Sequence, residues 1–123
     1  MNGDILIVDD EPDICWVIEH ILESRKLTCR KALTAQEALD LMKYSRFRLA
    51  FLDVTLPDMQ GLELARRLKS MDPTLSIVIV TGYMPEGDGI PPSASDRLFS
   101  ACVYKPFLNK EILNAIDNCQ RDK

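Results

Sequence analysis

No apolar run in this chain approaches the ~20 residues needed to cross a membrane. The N-terminus, Met1-Asn2-Gly3-Asp4-Ile5-Leu6-Ile7-Val8-Asp9-Asp10, lacks the basic start and long apolar stretch of a signal peptide. A cytoplasmic protein without membrane contact is therefore the expectation. No block of Lys or Arg stands out and the net charge is −4, so direct nucleic-acid binding by this domain is not expected. The four cysteines, Cys15, Cys29, Cys102 and Cys119, form no C-x-x-C, and no histidine stands at zinc-site spacing from them. They sit among apolar neighbours, as buried reduced thiols do. Repeats, linkers and low-complexity segments are absent too.

What is present suits a soluble domain. With 46% hydrophobic and 28% charged residues, 123 residues can bury one core without staples, which excludes disorder as the main state. One domain over residues 1–123 is expected.

Strand-like and helix-like segments alternate. Ile5-Leu6-Ile7-Val8 is a short β-branched run, as expected of a strand buried on both faces. Ile14, Val17, Ile18, Ile21 and Leu22 then share one helical face, and Pro12 suits the first turn. Residues 28–33 make a weak second strand. Thr34 and Glu37 form a capping box that opens a second helix with Ala35, Ala38, Leu39 and Met42 inward. Residues 48–53 are a third strand. Gly61-Leu62 lead into a helix bearing Leu64, Ala65 and Leu68. Ile77-Val78-Ile79-Val80 is a fourth strand, residues 101–104 a fifth, and a last helix starts near Asn109.

Between the fourth and fifth strands the pattern breaks. Residues 82–92 hold Gly82, Gly87, Gly89, Pro85, Pro91 and Pro92, which disfavour a helix interior. A long loop is expected, with at most a short helix over roughly Ser93–Ser100. The whole pattern predicts an α/β fold: a doubly wound, five-stranded parallel sheet in order 2-1-3-4-5, with an irregular fourth helix. Its ligand crevice lies beyond the carboxyl ends of strands one and three.

Those carboxyl ends carry the chemistry. Strand one ends in Asp9-Asp10, strand three in Asp53, strand four in Thr81 and strand five near Lys105. Asp commonly caps helices and ends strands, so either acidic item alone is ordinary. Their convergence with Thr81 and Lys105 on one edge is not. Three crowded carboxylates repel and call for a cation, and an all-oxygen site suits Mg²⁺.

At these residues the chain resembles the receiver domain of two-component response regulators, a flavodoxin/CheY-like fold. The motifs are Ile7-Val8-Asp9-Asp10-Glu11-Pro12, then Phe51-Leu52-Asp53-Val54-Thr55-Leu56-Pro57-Asp58-Met59-Gln60-Gly61-Leu62, then Val80-Thr81-Gly82, then Tyr104-Lys105-Pro106-Phe107. Their order and spacing are specific. The resemblance implies Mg-dependent phosphorelay signalling, with Asp53 accepting a phosphoryl group from a sensor histidine kinase or phosphotransfer protein. It implies Mg²⁺ bound by Asp10, Asp53 and the Thr55 backbone carbonyl, with Asp9 acting through metal-bound water. It gives Lys105 and Thr81 to the phosphoryl oxygens, Gly82 and Tyr104 to the switch, and a cis bond to Pro106. Such a receiver catalyses only its own phosphoryl transfer and slow dephosphorylation. It then switches an output domain or partner protein that the sequence does not name.

Two departures stand out. Gly82 occupies a position where the family more often has Ala, and glycine loosens the backbone there. The segment from Thr81 to Lys105 is about two residues longer than usual. Residues 82–92 are accordingly expected to be a mobile segment, gated by Thr81 and Tyr104. Two other classes compete. A haloacid-dehalogenase-like phosphatase also uses an Asp nucleophile with Mg²⁺, but carries D-x-D on its first strand, whereas Asp53 lies on the third. A binding-only module would not need Asp53, Thr81 and Lys105 together.

Overall fold

The computed structural model describes residues 5–82 and 101–121. β1 (Ile5–Val8), β2 (Cys29–Ala32), β3 (Leu49–Leu52), β4 (Ser76–Thr81) and β5 (Ala101–Tyr104) form one sheet in the order β2-β1-β3-β4-β5. Every pairing is parallel. The helices are α1 (Pro12–Glu23), α2 (Ala35–Tyr44), α3 (Gly61–Met71) and the C-terminal α4 (Asn109–Arg121). The expected loop and short helix over residues 83–100 lie outside the described residues.

The strands are apolar at every position of β1 and β3 because both faces are covered. Alternate residues go to opposite layers. Ile5, Ile7, Leu49, Phe51, Val78, Val80 and Val103 pack with α1 and α4. Leu6, Val8, Ala50, Leu52, Ile77 and Ile79 pack with α2 and α3. Each large side chain fully buried here contributes about 1.5–3 kcal/mol relative to exposure. The outer strand β2 differs, since its Arg30 and Lys31 are exposed. Lys31 pairs with Glu19 of α1 at 2.7 Å.

Local signals in the sequence explain the helix starts. Pro12 takes the first position of α1. The Thr34 hydroxyl accepts from Glu37 N–H at 3.1 Å, and the Glu37 carboxylate accepts from Leu33 N–H at 2.7 Å. The cysteines depart slightly from expectation. All four lie outside any disulfide, but only Cys15 and Cys119 are buried, while Cys29 and Cys102 are half-buried. Cys29 sits on the edge strand β2 and Cys102 on the edge strand β5, each with a neighbour strand on one side only.

Candidate functional site

The site forms where β1 and β3 end side by side. Val8 of β1 lies in register with Leu52 of β3, so Asp9 and Asp53, one residue beyond, become neighbours. The Asp53 N–H donates to the Val8 carbonyl at 2.9 Å and extends that pairing. Oxygens of Asp9, Asp10 and Asp53 all lie within 4.8 Å of one another. Asp9 and Asp53 are buried, and Asp10 is exposed. Asp10, Glu11, Asp53, Thr55, Thr81, Gly82 and Lys105 line an open cleft of about 320 Å³.

Lys105 crosses this cleft from the end of β5. Its Nζ lies 2.9 Å from Asp9 Oδ2 and 3.7 Å from Asp53 Oδ2. The Lys105 N–H donates to the Thr81 carbonyl at 2.8 Å, which carries the β4–β5 pairing one step beyond Tyr104. The Lys105-Pro106 bond is cis, as the resemblance implied. Tyr104 pairs in register with Thr81 and is 41% exposed.

The electrostatics follow from burial and crowding. Desolvation first, and the Asp9 carboxylate second, push the Asp53 pKa up to about 6. Desolvation also raises Asp9, against the opposing pull of Lys105. Burial disfavours the charge on Lys105, but Asp9, Asp53 and Glu11 outweigh it and hold its pKa above the usual range. The buried Asp9 Oδ2 has the Lys105 ammonium beside it at 2.9 Å. Three carboxylates converging within 4.8 Å, two of them buried, make an all-oxygen donor set that fits a hard divalent cation such as Mg²⁺.

The loop between β3 and α3 is drawn tight. The Gly61 N–H donates to the Val54 carbonyl at 2.7 Å, and Thr55 bridges Gln60. The Thr55 N–H faces Asp53 Oδ1 at 3.4 Å. A Cβ on Gly61 would stand 2.2 Å from the Asp53 carbonyl oxygen, so only glycine fits. Gly82 differs: a Cβ there would meet Lys105 only at 3.8 Å, an ordinary contact. Among the described residues, space does not require the glycine at 82.

Residues 5–117 match the family model of the response regulator receiver domain. The chain belongs to that family. This receiver is 34% identical over 116 residues to the regulatory protein VanR of Enterococcus faecium, covering 92% of this chain and 48% of VanR. It thus spans about half the length of that relative. It is 32% identical over 83 residues to sporulation initiation phosphotransferase F of Bacillus subtilis, covering 68% of this chain and 67% of that protein. The crystal structure of a CheY-like receiver domain protein from Methanospirillum hungatei superposes with a TM-score of 0.86 at 30% identity, covering 100% of both chains. The receiver family is a phosphorelay signalling module, so the dehalogenase-like alternative falls away.

The structure brings together all the acidic and basic residues singled out from the sequence. Three others gained a place only in three dimensions. Glu11 reaches Lys105 at 3.5 Å. Gly61 touches the backbone of Asp53. Asp58 accepts hydrogen bonds from α2. Glu11, Asp58 and Gly61 stand inside the family motifs, which was the available signal, but a motif does not say what each side chain touches.

Proposed function

We propose that this receiver, over residues 1–123, accepts a phosphoryl group on Asp53 and thereby switches a partner surface. The observation that carries the proposal is the convergence of Asp9, Asp10 and Asp53 within 4.8 Å, with Lys105 over Asp53 at 3.7 Å. A bound Mg²⁺ would offset the charge of the carboxylates and of the incoming phosphoryl oxygens. Asp10 and Asp53 would hold it directly with the Thr55 carbonyl, and Asp9 through water. Exposed Asp10 faces the cleft, whereas Asp9 Oδ1 is already engaged by the Glu11 N–H at 2.9 Å.

The reaction is a displacement at phosphorus. An Asp53 carboxylate oxygen forms the new P–O bond as the bond to the donor nitrogen breaks. With its pKa near 6, Asp53 is largely ionised at neutral pH and able to attack. The Lys105 ammonium then turns from Asp9 toward the phosphoryl oxygens as a point charge, and the Thr81 hydroxyl donates to another of them. That is positioning plus electrostatics, which phosphoryl transfer mainly requires. Slow hydrolysis of the acyl phosphate would end the signal. The donor would be a cytoplasmic sensor histidine kinase or phosphotransfer protein. The output would be a domain or protein switched through Thr81, Gly82 and Tyr104.

The test is intact mass after incubation with acetyl phosphate and Mg²⁺. Wild type gains one phosphoryl group and Asp53→Asn gains none. Equal labelling of the two, or no labelling of either, overturns the proposal.

A further inference from the structure

The N-terminus of α2 is closed by two separate devices. A helix begins with four N–H groups that have no partner within it. Thr34 satisfies Glu37, and Glu37 reaches back to Leu33. The first two helical N–H groups, of Ala35 and Gln36, are left over by this box. Asp58 takes both, Oδ1 from Ala35 at 2.9 Å and Oδ2 from Gln36 at 3.0 Å. It comes from the β3–α3 loop, 23 residues after Ala35.

Each bond constrains both ends. Asp58 lies five residues after Asp53 and three after Thr55, near the tip of the loop closed by Val54 and Gly61. Leu56 and Met59 fasten this loop to the core beside α2 and α3. Asp58 fastens its polar side. With each oxygen bound to a different N–H, the carboxylate can neither turn nor slide. Charge-assisted bonds at a helix N-terminus are among the stronger of their kind. The N–H of Ala35, above all, holds the Asp58 carboxyl below the usual carboxylate range, so the tie stays charged at neutral pH.

We propose that Asp58 is a positioning residue for metal binding and phosphoryl transfer, tying the loop that presents Thr55 and Asp53 to the first turn of α2. The inference rests on the reading of Asp53 given above. It makes α2 part of the support of the acceptor loop.

The test compares Asp58→Ala, Asp58→Asn and Thr34→Ala in the whole chain. Thr34→Ala weakens the same helix end without touching the loop, so it controls for a merely structural effect. Mg²⁺ affinity by calorimetry and the rate of labelling by acetyl phosphate at saturating Mg²⁺ are read beside the melting temperature. Asp58→Ala should bind Mg²⁺ about tenfold more weakly, the low end for loss of a group that orients a metal ligand. Asp58→Asn keeps an acceptor oxygen and should recover part of the loss. Thr34→Ala should melt earlier yet bind Mg²⁺ like wild type. Wild-type Mg²⁺ affinity and labelling in Asp58→Ala would overturn the inference, as would an equal Mg²⁺ loss in Thr34→Ala. If Asp58→Ala does not fold, Asp58→Asn decides, and wild-type affinity there overturns it. Failure of wild type to take label would refute the Asp53 reading instead, while the Mg²⁺ titrations would still report on the tie.

Discussion

Gly61 and Gly82 stand at two margins of one site, and a methyl group would fare very differently at each. At Gly61 it would enter the backbone of Asp53, at 2.2 Å from the carbonyl oxygen. At Gly82 it would find ordinary contact with the Lys105 stem at 3.8 Å. The β3 margin is closed by a 2.7 Å backbone bond, a bridge and a cap from another helix start. The β4 margin keeps room at an exposed residue. The side that holds Asp53 is fixed by backbone contact, and the side at Gly82 has space among the described residues.

The sharpest way to break this contrast is Gly61→Ala. The clash is with backbone, which cannot rotate away, so the loop must move. We expect a loss of about 3 kcal/mol, at the upper end for overpacking, and failure of acetyl phosphate labelling in the fraction that folds. Urea unfolding and intact mass measure the two effects. Near-wild-type stability would show that the tight margin yields easily.

Next in size is the pH dependence of the acidic cluster without metal. Burial and Asp9 raise the Asp53 pKa from 3.8 to about 6 in the folded protein. The folded state therefore holds this proton more tightly than the unfolded state does. The contribution is fully present below about pH 4 and is lost as pH rises through about 6. In EDTA, Asp53→Asn should melt higher than wild type at pH 8, and the gap should close toward pH 4. Melting curves across that range check it. A gap that widens on acidification would contradict the crowding described here.

The smallest effect belongs to Gly82→Ala. A methyl group fits, and the unfolded chain loses freedom, so stability should rise by roughly 0.4–1 kcal/mol. Labelling of Asp53 should stay within about twofold of wild type. Marked destabilisation would mean that the open margin is closed after all.

Most of the fold was legible because its strongest signals are local. The runs at Ile5–Val8 and residues 77–80 are buried on both faces and so are apolar without interruption. Thr34 and Glu37 announce α2 within four residues. The acidic site was legible because strand ends at a winding reversal must converge. What escaped depends on contacts across long stretches of chain. Nothing near Asp58 reveals that its partners are Ala35 and Gln36. Nothing near Glu11 reveals Lys105, 94 residues on. Gly61 reads as a helix start, and only the packing shows that it bears on Asp53. Glycine at 82 read as a source of backbone looseness, and its described neighbours leave room for a side chain. The expectations for residues 83–92, like the short helix at 93–100, lie outside the described residues.

The weakest strand in the sequence, β2, owes its ambiguity to Arg30 and Lys31, both exposed on the outer edge of the sheet. An outermost strand offers a row of backbone groups to any passing extended chain. Valine at these positions would make a clearer strand and a stickier one, open to pairing with a second copy. Arg30 and Lys31, the latter paired with Glu19, instead demand water along this edge. In a cell the protein meets many copies of itself and of nascent chains. The charges that obscure β2 in the sequence thus mark where the sheet stops growing, in the manner by which charged edge strands discourage edge-to-edge pairing.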